Sequence, residues 1–520
     1  MELGIFLPSI LIVVISIYFF LQRHYGYWLR QGVRELRPQW LVGNLSGLLS
    51  MKSSPADFIS DLYNHPDAVD QPFVGIHVFH KPAILLREPD LIKKIMIKDF
   101  CQFGNRYSNS DYKGDPLGSQ NIFFLKQPQW KEVRLKLSPF FTSTKLKHMF
   151  PLIDEVGRNL DAHLRQQPLH NERMRSFDVE AKELCALFTT DVIATVAYGV
   201  QANSFSVPDS EFRRHGRAVF EFSLKRAAEF TLVFFLPHLV PFFGFKVVPK
   251  EPTEFLRKTI NYVMAERERS KQTRNDLIDI LIEFKRSTQQ AKDTGKNGNQ
   301  LVFEGDILVA QAVLFFTAGF ESSSATMSFA LYELAKNLEI QERLREEIKK
   351  ALIQSKGQVT QQMIESLEYL QMILYEVLRM YPPLPFLDRE CTSDEAYSLA
   401  PYHSFRVPRG MPIYIPAYAL HMDPQYYPQP RKFLPERFSP TNRKLNTPYT
   451  YMPFGLGPHG CIGERFGFLQ AKVGLVYLLR NHLVTTSERT QGRMKLDTKA
   501  IILQAQGGIH LKLVRNPLGV

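Results

Sequence analysis

Cysteine is scarce in this chain. Only four cysteines, Cys101, Cys185, Cys391 and Cys461, are spread over 520 residues, and no two of them form a C-x-x-C pair. This spacing excludes the dense disulfide framework on which small secreted domains depend, and it favours a reducing compartment. A zinc site is also disfavoured, because His459 is the one potential ligand near Cys461 and lies too close in sequence to chelate comfortably beside it.

Nucleotide-binding motifs are absent as well. No G-x-G-x-x-G follows a strand-like segment early in the chain and no G-x-x-x-x-G-K-[ST] occurs, so neither a dinucleotide-binding fold nor a P-loop is supported. Basic runs do not interleave with stacking aromatics, which argues against nucleic acid as a partner. The net charge of +12 favours an acidic partner or an anionic membrane surface, although a solvated basic surface explains the charge equally well.

The chain contains one long run of uncharged apolar residues, near its N-terminus. The segment from Leu3 to Leu21 carries no charge and matches the roughly 20 residues that span a bilayer as a helix. We predict that residues 1–22 form a transmembrane anchor. A cleaved signal peptide is the alternative, but Met1-Glu2 supplies no basic leading segment and no small-residue cleavage site follows.

The segment 23–45 is predicted to be a basic and aromatic linker. Its positive charges follow the apolar run directly, and this bias places the remaining body, residues 46–520, on the cytosolic side of the membrane. Tyr25, Tyr27 and Trp28 are expected at the depth of the membrane interface. The body is predicted to be a single large domain.

Apolar residues at helical spacing dominate the body, so the fold is predicted to be mainly α with small β-sheets. Helices are predicted over residues 276–285, 303–337, 340–354, 360–381 and 461–482. Short strands are predicted over residues 73–79, 83–86 and 411–416. The polar stretch 286–300 lacks apolar periodicity and is predicted to be a surface loop.

The loop before the last of these helices concentrates glycine around Cys461. Gly455, Gly457, Gly460 and Gly463 allow tight turns and a close approach of the backbone to a flat group. Because the helical pattern starts directly afterwards, Cys461 is expected at a helix N-terminus, which favours a thiolate. Such a thiolate suits a nucleophile, with His459 as its base, or a soft metal ligand, and a haem ligand explains the glycines better.

At this loop the chain resembles the cytochrome P-450 superfamily of haem-thiolate monooxygenases, whose loop reads Phe-x-x-Gly-x-Arg-x-Cys-x-Gly. Phe454, Gly457, Cys461 and Gly463 match that pattern, and His459 stands at the position of the arginine. The resemblance implies that Cys461 is the axial ligand of the iron of haem b. It also implies the corresponding fold for the body.

Other signatures of the superfamily occur in the expected order. Glu376 and Arg379 match its Glu-x-x-Arg, with Arg437 completing the network, although a surface ion pair would give the same spacing. Trp130 and Arg134 match its Trp-x-x-x-Arg, which the resemblance assigns to a haem propionate, and Arg389 resembles another propionate contact. Taken singly, Trp130 would be a packed core residue and Arg134 a solvated cation.

The stretch Ala318-Gly-Phe-Glu-Ser-Ser323 resembles the oxygen-activation sequence of the superfamily. Gly319 is expected to open a turn of the helix so that water or O2 can enter. Ser322 replaces the usual threonine, keeping the hydroxyl for proton transfer while losing the methyl group that restrains the rotamer. Glu321 is expected to relay protons.

Further segments resemble the insect microsomal branch of the superfamily, among them residues 115–117, 122–125, 137–142, 188–193 and 274–276. This branch implies a monooxygenase of the endoplasmic reticulum membrane that acts on hydrophobic foreign compounds, such as insecticides, or on endogenous hormones and lipids. It implies O2 as co-substrate, electrons from NADPH through a reductase, and cytochrome b5 as a further electron donor. The alternative is a haem-binding protein of this fold with weak or no oxygenase activity, because His459 replaces the propionate-binding arginine.

Overall fold

The computed structural model describes residues 3–170, 173, 175–207, 209–274, 276–293, 302–490, 492 and 494–520. The side chains of residues 3–11, 13 and 291 lie outside this description.

Helices make up most of the described chain and confirm the predicted mainly α class. In chain order they are α1 Leu3–Tyr25, α2 Tyr27–Arg30, α3 Ser46–Leu49, α4 Pro55–Tyr63, α5 Pro89–Lys93, α6 Pro116–Ser119, α7 Gln129–Leu137, α8 Ser143–Gln166, α9 Ala181–Ile193, α10 Glu211–Phe220, α11 Leu224–Phe235, α12 Val240–Phe243, α13 Lys250–Ser270, α14 Leu277–Asp293, α15 Asp306–Lys336, α16 Leu338–Gln354, α17 Gln361–Ser366, α18 Glu368–Met380, α19 Ala417–His421 and α20 Glu464–Leu479.

Three small sheets accompany these helices. The strands are β1 Phe73–Val78, β2 Lys81–Leu86, β3 Ser176–Glu180, β4 Leu387–Glu390, β5 Tyr397–Ser398, β6 Arg406–Val407, β7 Pro412–Ile415, β8 His482–Thr486 and β9 His510–Arg515. The largest sheet has the order β1-β2-β7-β4, in which β2 and β7 run parallel and the outer pairs run antiparallel. Strands β3, β9 and β8 form an antiparallel sheet, and β5 pairs with β6.

Helix α15 runs through the centre of the molecule and is buried along most of its length. It packs against α9, α18 and α20, and an apolar sequence on all sides of a helix suits such a position. The crossing with α9 is close at Gly319, where an added Cβ would lie 2.5 Å from Cδ1 of Ile193. A glycine at this position therefore lets two core helices approach each other.

Among the residues whose side chains the structure describes, which leave out most of the first half of α1, helix α15 is the one helix that alone is long and apolar enough to cross a membrane. Because 72% of its tested stretch is buried inside the protein, we assign it to the core. The bent pair Leu224–Phe235 and Pro237–Phe243 passes the same test only when its two pieces are taken together.

The segment after α1 packs on the body. Trp28 is fully buried and its Nε1–H donates to the carbonyl oxygen of Ile76 at 3.0 Å, against strand β1. A Cβ on Gly75 would collide with the indole ring, so glycine at this place in the strand makes room for it. The expectation that Trp28 lies at membrane-interface depth is therefore wrong, because its ring fills the core beside the sheet.

Other helix boundaries differ from the predicted ones for local reasons. Residues 286–293 continue helix α14 rather than forming a loop, and residues 294–300 lie outside the described chain. The predicted helix 360–381 is divided at Leu367 into α17 and α18. Helix α20 starts at Glu464 with Gly463 as its N-cap, so Cys461 precedes the helix instead of beginning it.

Candidate functional site: a cysteine loop facing the central helix

The loop that carries Cys461 folds back on itself before α20. The backbone N–H of Cys461 donates to the carbonyl oxygen of Phe454 at 2.7 Å. Gly457 has a φ of 67° in the left-handed region, and a Cβ there would collide with the carbonyl oxygen of Met96. Glycine is therefore needed at this position both for the conformation and for the close approach of the neighbouring chain.

The thiol of Cys461 is exposed to the space in front of the loop. Although the residue is accessible, the protein atoms around the cavity desolvate the thiol and raise its pKa, and Glu464 adds to this rise. The N–H of Gly463 and the guanidinium groups of Arg134 and Arg106 lower the pKa. Stabilisation of a thiolate thus comes from one loop N–H and two cations. The expected contribution of a first helical turn is wrong, because the helix begins three residues later.

A single cavity connects this cysteine with the central helix. It encloses about 940 Å³ of space between protein atoms, part of it open to solvent. Cys461, Phe454 and Gly463 lie on one wall, while Ala318 and Gly319 of α15 lie on another. The cysteine loop and the helix signature, predicted from separate motifs, therefore face the same space. Ser322 also lines this cavity, as do the aromatic rings of Phe140, Phe141 and Phe315.

The hydroxyl of Ser322 forms a hydrogen bond within its own helix. Its Oγ donates to the carbonyl oxygen of Ala318 at 2.7 Å. Helix α15 continues through this turn without a break, so the predicted opening at Gly319 is wrong. The carbonyl oxygen of Gly319 accepts instead from Nε2 of Gln470 on α20 at 3.0 Å, and close packing against α9 holds the same turn from the other side.

Glu321 is turned away from the cavity lining. Its carboxylate is nearly fully buried, with Oε1 at 2.9 Å from Nζ of Lys182 and at 2.6 Å from Nε2 of Gln504. Such an ion pair fixes the side chain behind the helix. A role of Glu321 in proton relay stays a prediction, and it requires the pair with Lys182 to open.

The network of Glu376, Arg379 and Arg437 is present. Both nitrogens Nε and Nη2 of Arg379 donate to the carboxylate of Glu376 at 2.8 Å, and both side chains are fully buried. Arg437 adds a contact of 3.3 Å to the same carboxylate. The remaining donors of Arg379 bind the carbonyl oxygens of His421 and Pro430, so one bidentate pair joins three separate segments. A surface ion pair is therefore excluded.

His459 is buried and neutral. Its ring lies 4.1 Å from the ring of Trp130 between centroids, with Nε2 at 2.9 Å from the carbonyl oxygen of Gly104. Nδ1 lies 3.2 Å from Nη1 of Arg106, which can only donate. Nδ1 must accept and Nε2 must donate, which requires the neutral ring. Burial, then Arg106 and Arg389, lower the pKa of His459 far below its usual range.

Three guanidinium groups surround this histidine. Arg106, Arg134 and Arg389 each lower its pKa, and none of the three forms a salt bridge with a carboxylate of the described chain. Burial followed by the charge of Arg106 lowers the pKa of Arg389 to about 9, and burial lowers that of Arg106 to about 10. The buried Nε of Arg389 has no hydrogen-bond partner. The buried carboxylate of Asp388 compensates only part of this positive charge, so the cluster favours a further anionic group.

The residues present fit a haem group. The cavity offers one thiol, apolar walls and glycine backbone, and the adjacent guanidinium cluster supplies donors for two propionates. The orphaned Nε of Arg389 is a donor that a propionate would satisfy. Cys461 would hold the iron, and Arg106, Arg134 and Arg389 would hold the propionates.

Comparison with known proteins agrees with this geometry. The family model described as Cytochrome P450 matches residues 33–513. The chain belongs to the cytochrome P450 family. Probable cytochrome P450 6g2 of Drosophila melanogaster is 78% identical over 501 residues, which cover 96% of both chains. Cytochrome P450 6k1 of Blattella germanica is 39% identical over 518 residues, covering 97% of this chain and 96% of that protein.

Membership makes this cytochrome P450 a haem-dependent monooxygenase with the fold of its family. Two residues of its site have no counterpart in the sequence analysis. Arg106 lies in a stretch that carries no recognisable motif, and its contact with His459 joins residues 353 positions apart. Gln470 was not identified, because the apolar pattern of α20 surrounds it. A glutamine at a core position of a helix is nevertheless unusual and indicates a buried hydrogen-bonding role.

Proposed function

We propose that this cytochrome P450 is a membrane-anchored monooxygenase that inserts one oxygen atom of O2 into hydrophobic small molecules. The observation that carries the proposal is the cavity in which the thiol of Cys461 faces Ala318, Gly319 and Ser322 across apolar walls. When bound, the haem supplies O2 activation, which a thiolate ligand favours by donating electron density. Two electrons and two protons accompany each O2, and the second oxygen atom leaves as water.

The chain itself provides binding, exclusion of water and placement of protons. Apolar side chains from α9, α15 and the segment after α7 line the cavity and disfavour water next to a bound substrate. Ser322 presents a hydroxyl to the cavity beside Ala318 and Gly319, and its hydrogen bond to Ala318 sets the orientation of that hydroxyl. These residues suit a substrate that carries no charged groups.

The substrate class we propose comprises apolar foreign compounds, including insecticides, and endogenous hormones or lipids. Purified holoprotein should be titrated with panels of both kinds while its absorption spectrum is recorded. Compounds that enter the cavity and displace water are expected to shift the spectrum, whereas charged analogues of the same size are expected to leave it unchanged. If charged analogues bind as tightly, the proposed substrate class is wrong.

We further propose that residues 1–22 anchor the enzyme in the endoplasmic reticulum membrane with its body on the cytosolic face. Helix α1 runs from Leu3 to Tyr25, long enough to span a bilayer, and its described side chains from Ile12 to Phe20 are exposed. Basic residues follow this helix, as the positive-inside bias requires.

Electrons are proposed to come from NADPH through an acidic reductase, with cytochrome b5 as a further donor. Arg431, Lys432, Arg465 and Lys472 are the cations that the sequence suggests for a docking face. Lys472 is wrong for this role, since it is buried and its Nζ donates to the carbonyl oxygens of Ile364 and Leu367. Burial lowers the pKa of Lys472 to about 8.

The exposed cations Arg431, Lys432 and Arg465 give a testable docking face. Reversing the charge at Arg465 together with Lys432 is expected to raise the KM for reductase by about threefold or more, because charges at the rim of an interface steer association. The KM for substrate should stay the same. Lys258→Glu on α13 is the control, since Lys258 is equally exposed and α13 packs on α10 and α14. Equal effects of both changes would contradict docking at the Arg465 face.

The alternative function, a haem-binding protein with weak or no oxygenase activity, depends on the missing cation at His459. The structure favours oxygenase activity, because Arg106 places a guanidinium 3.2 Å from that ring and replaces the missing charge. Arg106→Met is therefore expected to speed transfer of haem to apomyoglobin by about tenfold, the effect of losing a charge-assisted hydrogen bond.

Two further variants sharpen this experiment. His459→Arg alone should not slow haem loss, because Arg134 and Arg389 already crowd the site, but it should restore retention in the Arg106→Met background. Arg213→Met is the control, since Arg213 is a buried arginine that pairs with Glu183 away from the cluster. If His459→Arg alone raises both haem occupancy and turnover, the site of the parent protein lacks a needed cation. This result would support the alternative function and would show that Arg106 does not replace the missing charge.

A further inference from the structure

Gln470 joins the helix that follows the cysteine loop to the central helix. Its side chain is fully buried on α20 and lines the cavity that contains Cys461. Nε2 donates to the carbonyl oxygen of Gly319 at 3.0 Å and to Oγ of Ser323 at 2.6 Å. Both hydrogens of the amide are therefore committed to one turn of α15.

That turn also carries Ser322. Gly319 and Ser323 are four residues apart and lie one above the other on the helix, with Ser322 immediately adjacent. The Oγ of Ser322 donates to the carbonyl oxygen of Ala318, so its orientation depends on the position of the carbonyl groups in this turn. Gln470 binds the next carbonyl group along the chain, that of Gly319, so a shift of this turn would also move the Ala318 carbonyl that orients Ser322.

Core packing alone does not account for an amide at this position. The Oε1 of Gln470 is buried and accepts no hydrogen bond from the described chain, which is a cost that leucine or methionine would avoid. Gln341 provides the comparison. It is equally buried and also binds α15, through the carbonyl oxygen of Leu334, but its Oε1 accepts from the N–H of Val484 at 2.8 Å.

We propose that Gln470 is a positioning residue that fixes Ser322 relative to Cys461 and thereby directs electrons into product. In the productive reaction, O2, two electrons, two protons and substrate give hydroxylated substrate and water. In the competing reaction, O2, two electrons and two protons give hydrogen peroxide. The electrons come from NADPH through the reductase, so this inference rests on the proposed function.

The test uses the full-length holoenzyme with reductase and compares Gln470→Met with Gln341→Met. Methionine preserves the volume and removes every hydrogen bond of the amide. Per molecule of bound haem, Gln470→Met is expected to raise the ratio of peroxide to product about fivefold, the effect of one lost hydrogen bond on competing barriers. The infrared stretching frequency of carbon monoxide bound to the reduced protein should shift as well. Gln341→Met is expected to change neither quantity.

The possible outcomes separate the two proposals. An unchanged ratio and frequency in Gln470→Met, or equal changes in Gln341→Met, would overturn the positioning role. If Gln470→Met fails to bind haem, Ser323→Ala decides, because it removes one bond to Gln470 without altering α20. That variant is expected to raise the ratio about twofold, and no rise would overturn the inference. Absence of the thiolate-type spectrum in the parent enzyme would instead overturn the proposed function before any variant is made.

Discussion

Replacing Cys461 by alanine is expected to abolish the red-shifted absorption band of the reduced carbon monoxide complex and all NADPH-dependent turnover. Cys461 is the one thiol on the cavity wall, whereas Cys185 and Cys391 are buried elsewhere. No neighbouring side chain of the cavity lining offers a second soft ligand with a thiolate's electron donation. The absorption difference spectrum of membranes from expressing cells measures this directly.

Cys101→Ala is the matched control for that change. Cys101 is also free and exposed, so its loss removes a thiol of similar accessibility without touching the cavity lining. The control should keep the band and the turnover of the parent. Survival of the band in Cys461→Ala would show that another group ligates the iron.

Replacing Glu376 by glutamine is expected to lower the free energy of unfolding by about 3–5 kcal/mol, because it leaves two guanidinium groups in the core without their anion. Arg379 and Glu376 are both fully buried, so solvent does not compensate the lost charge. We also expect little haem-loaded protein, since the donors of Arg379 hold the segments around His421 and Pro430. Urea unfolding and the yield of holoprotein measure the two effects.

Glu342→Gln on α16 serves as the control for this second change. Glu342 is exposed, so the loss of its charge is expected to cost less than about 0.5 kcal/mol. If Glu376→Gln costs no more than Glu342→Gln, the buried network does not brace the molecule and its assigned role is wrong.

Helical periodicity identified the central helix and the helix after the cysteine loop but not α9, because local apolar patterns determine which residues face the core. The central helix was predicted over 303–337 and is found at Asp306–Lys336. Its position between α9 and α20 could not be predicted, since it depends on contacts between distant segments. The parallel pairing of Leu85 with Tyr414 in the main sheet illustrates the same limit.

Single residues whose partners lie far away in sequence were the least predictable. Trp28 was expected at a membrane interface, and its burial follows from the space above Gly75. Lys472 was expected on the surface, but it lies on a helix face whose neighbours offer carbonyl oxygens at Ile364 and Leu367. Arg106 was not identified, because no local pattern connects it with His459, the residue that it contacts.

Several motif residues, by contrast, lie together in the structure, while their roles stay predictions. Cys461, Phe454, Gly463 and the pair Ala318 and Gly319 meet at one cavity. The resemblance to the superfamily implied this meeting, because each motif occupies one loop or one helical turn that could be recognised locally. The hydrogen bonds at the Gly319 turn of α15 were not predicted, because they depend on the side chain of Gln470, which comes from α20.

The most direct test of the central claim is the absorption spectrum of the purified wild-type protein after reduction in the presence of carbon monoxide. We predict the red-shifted band of a haem with a cysteine thiolate as its axial ligand, at one haem per chain. A protein that binds haem and shows only the unshifted band would contradict the assignment of Cys461 and the monooxygenase function derived from it.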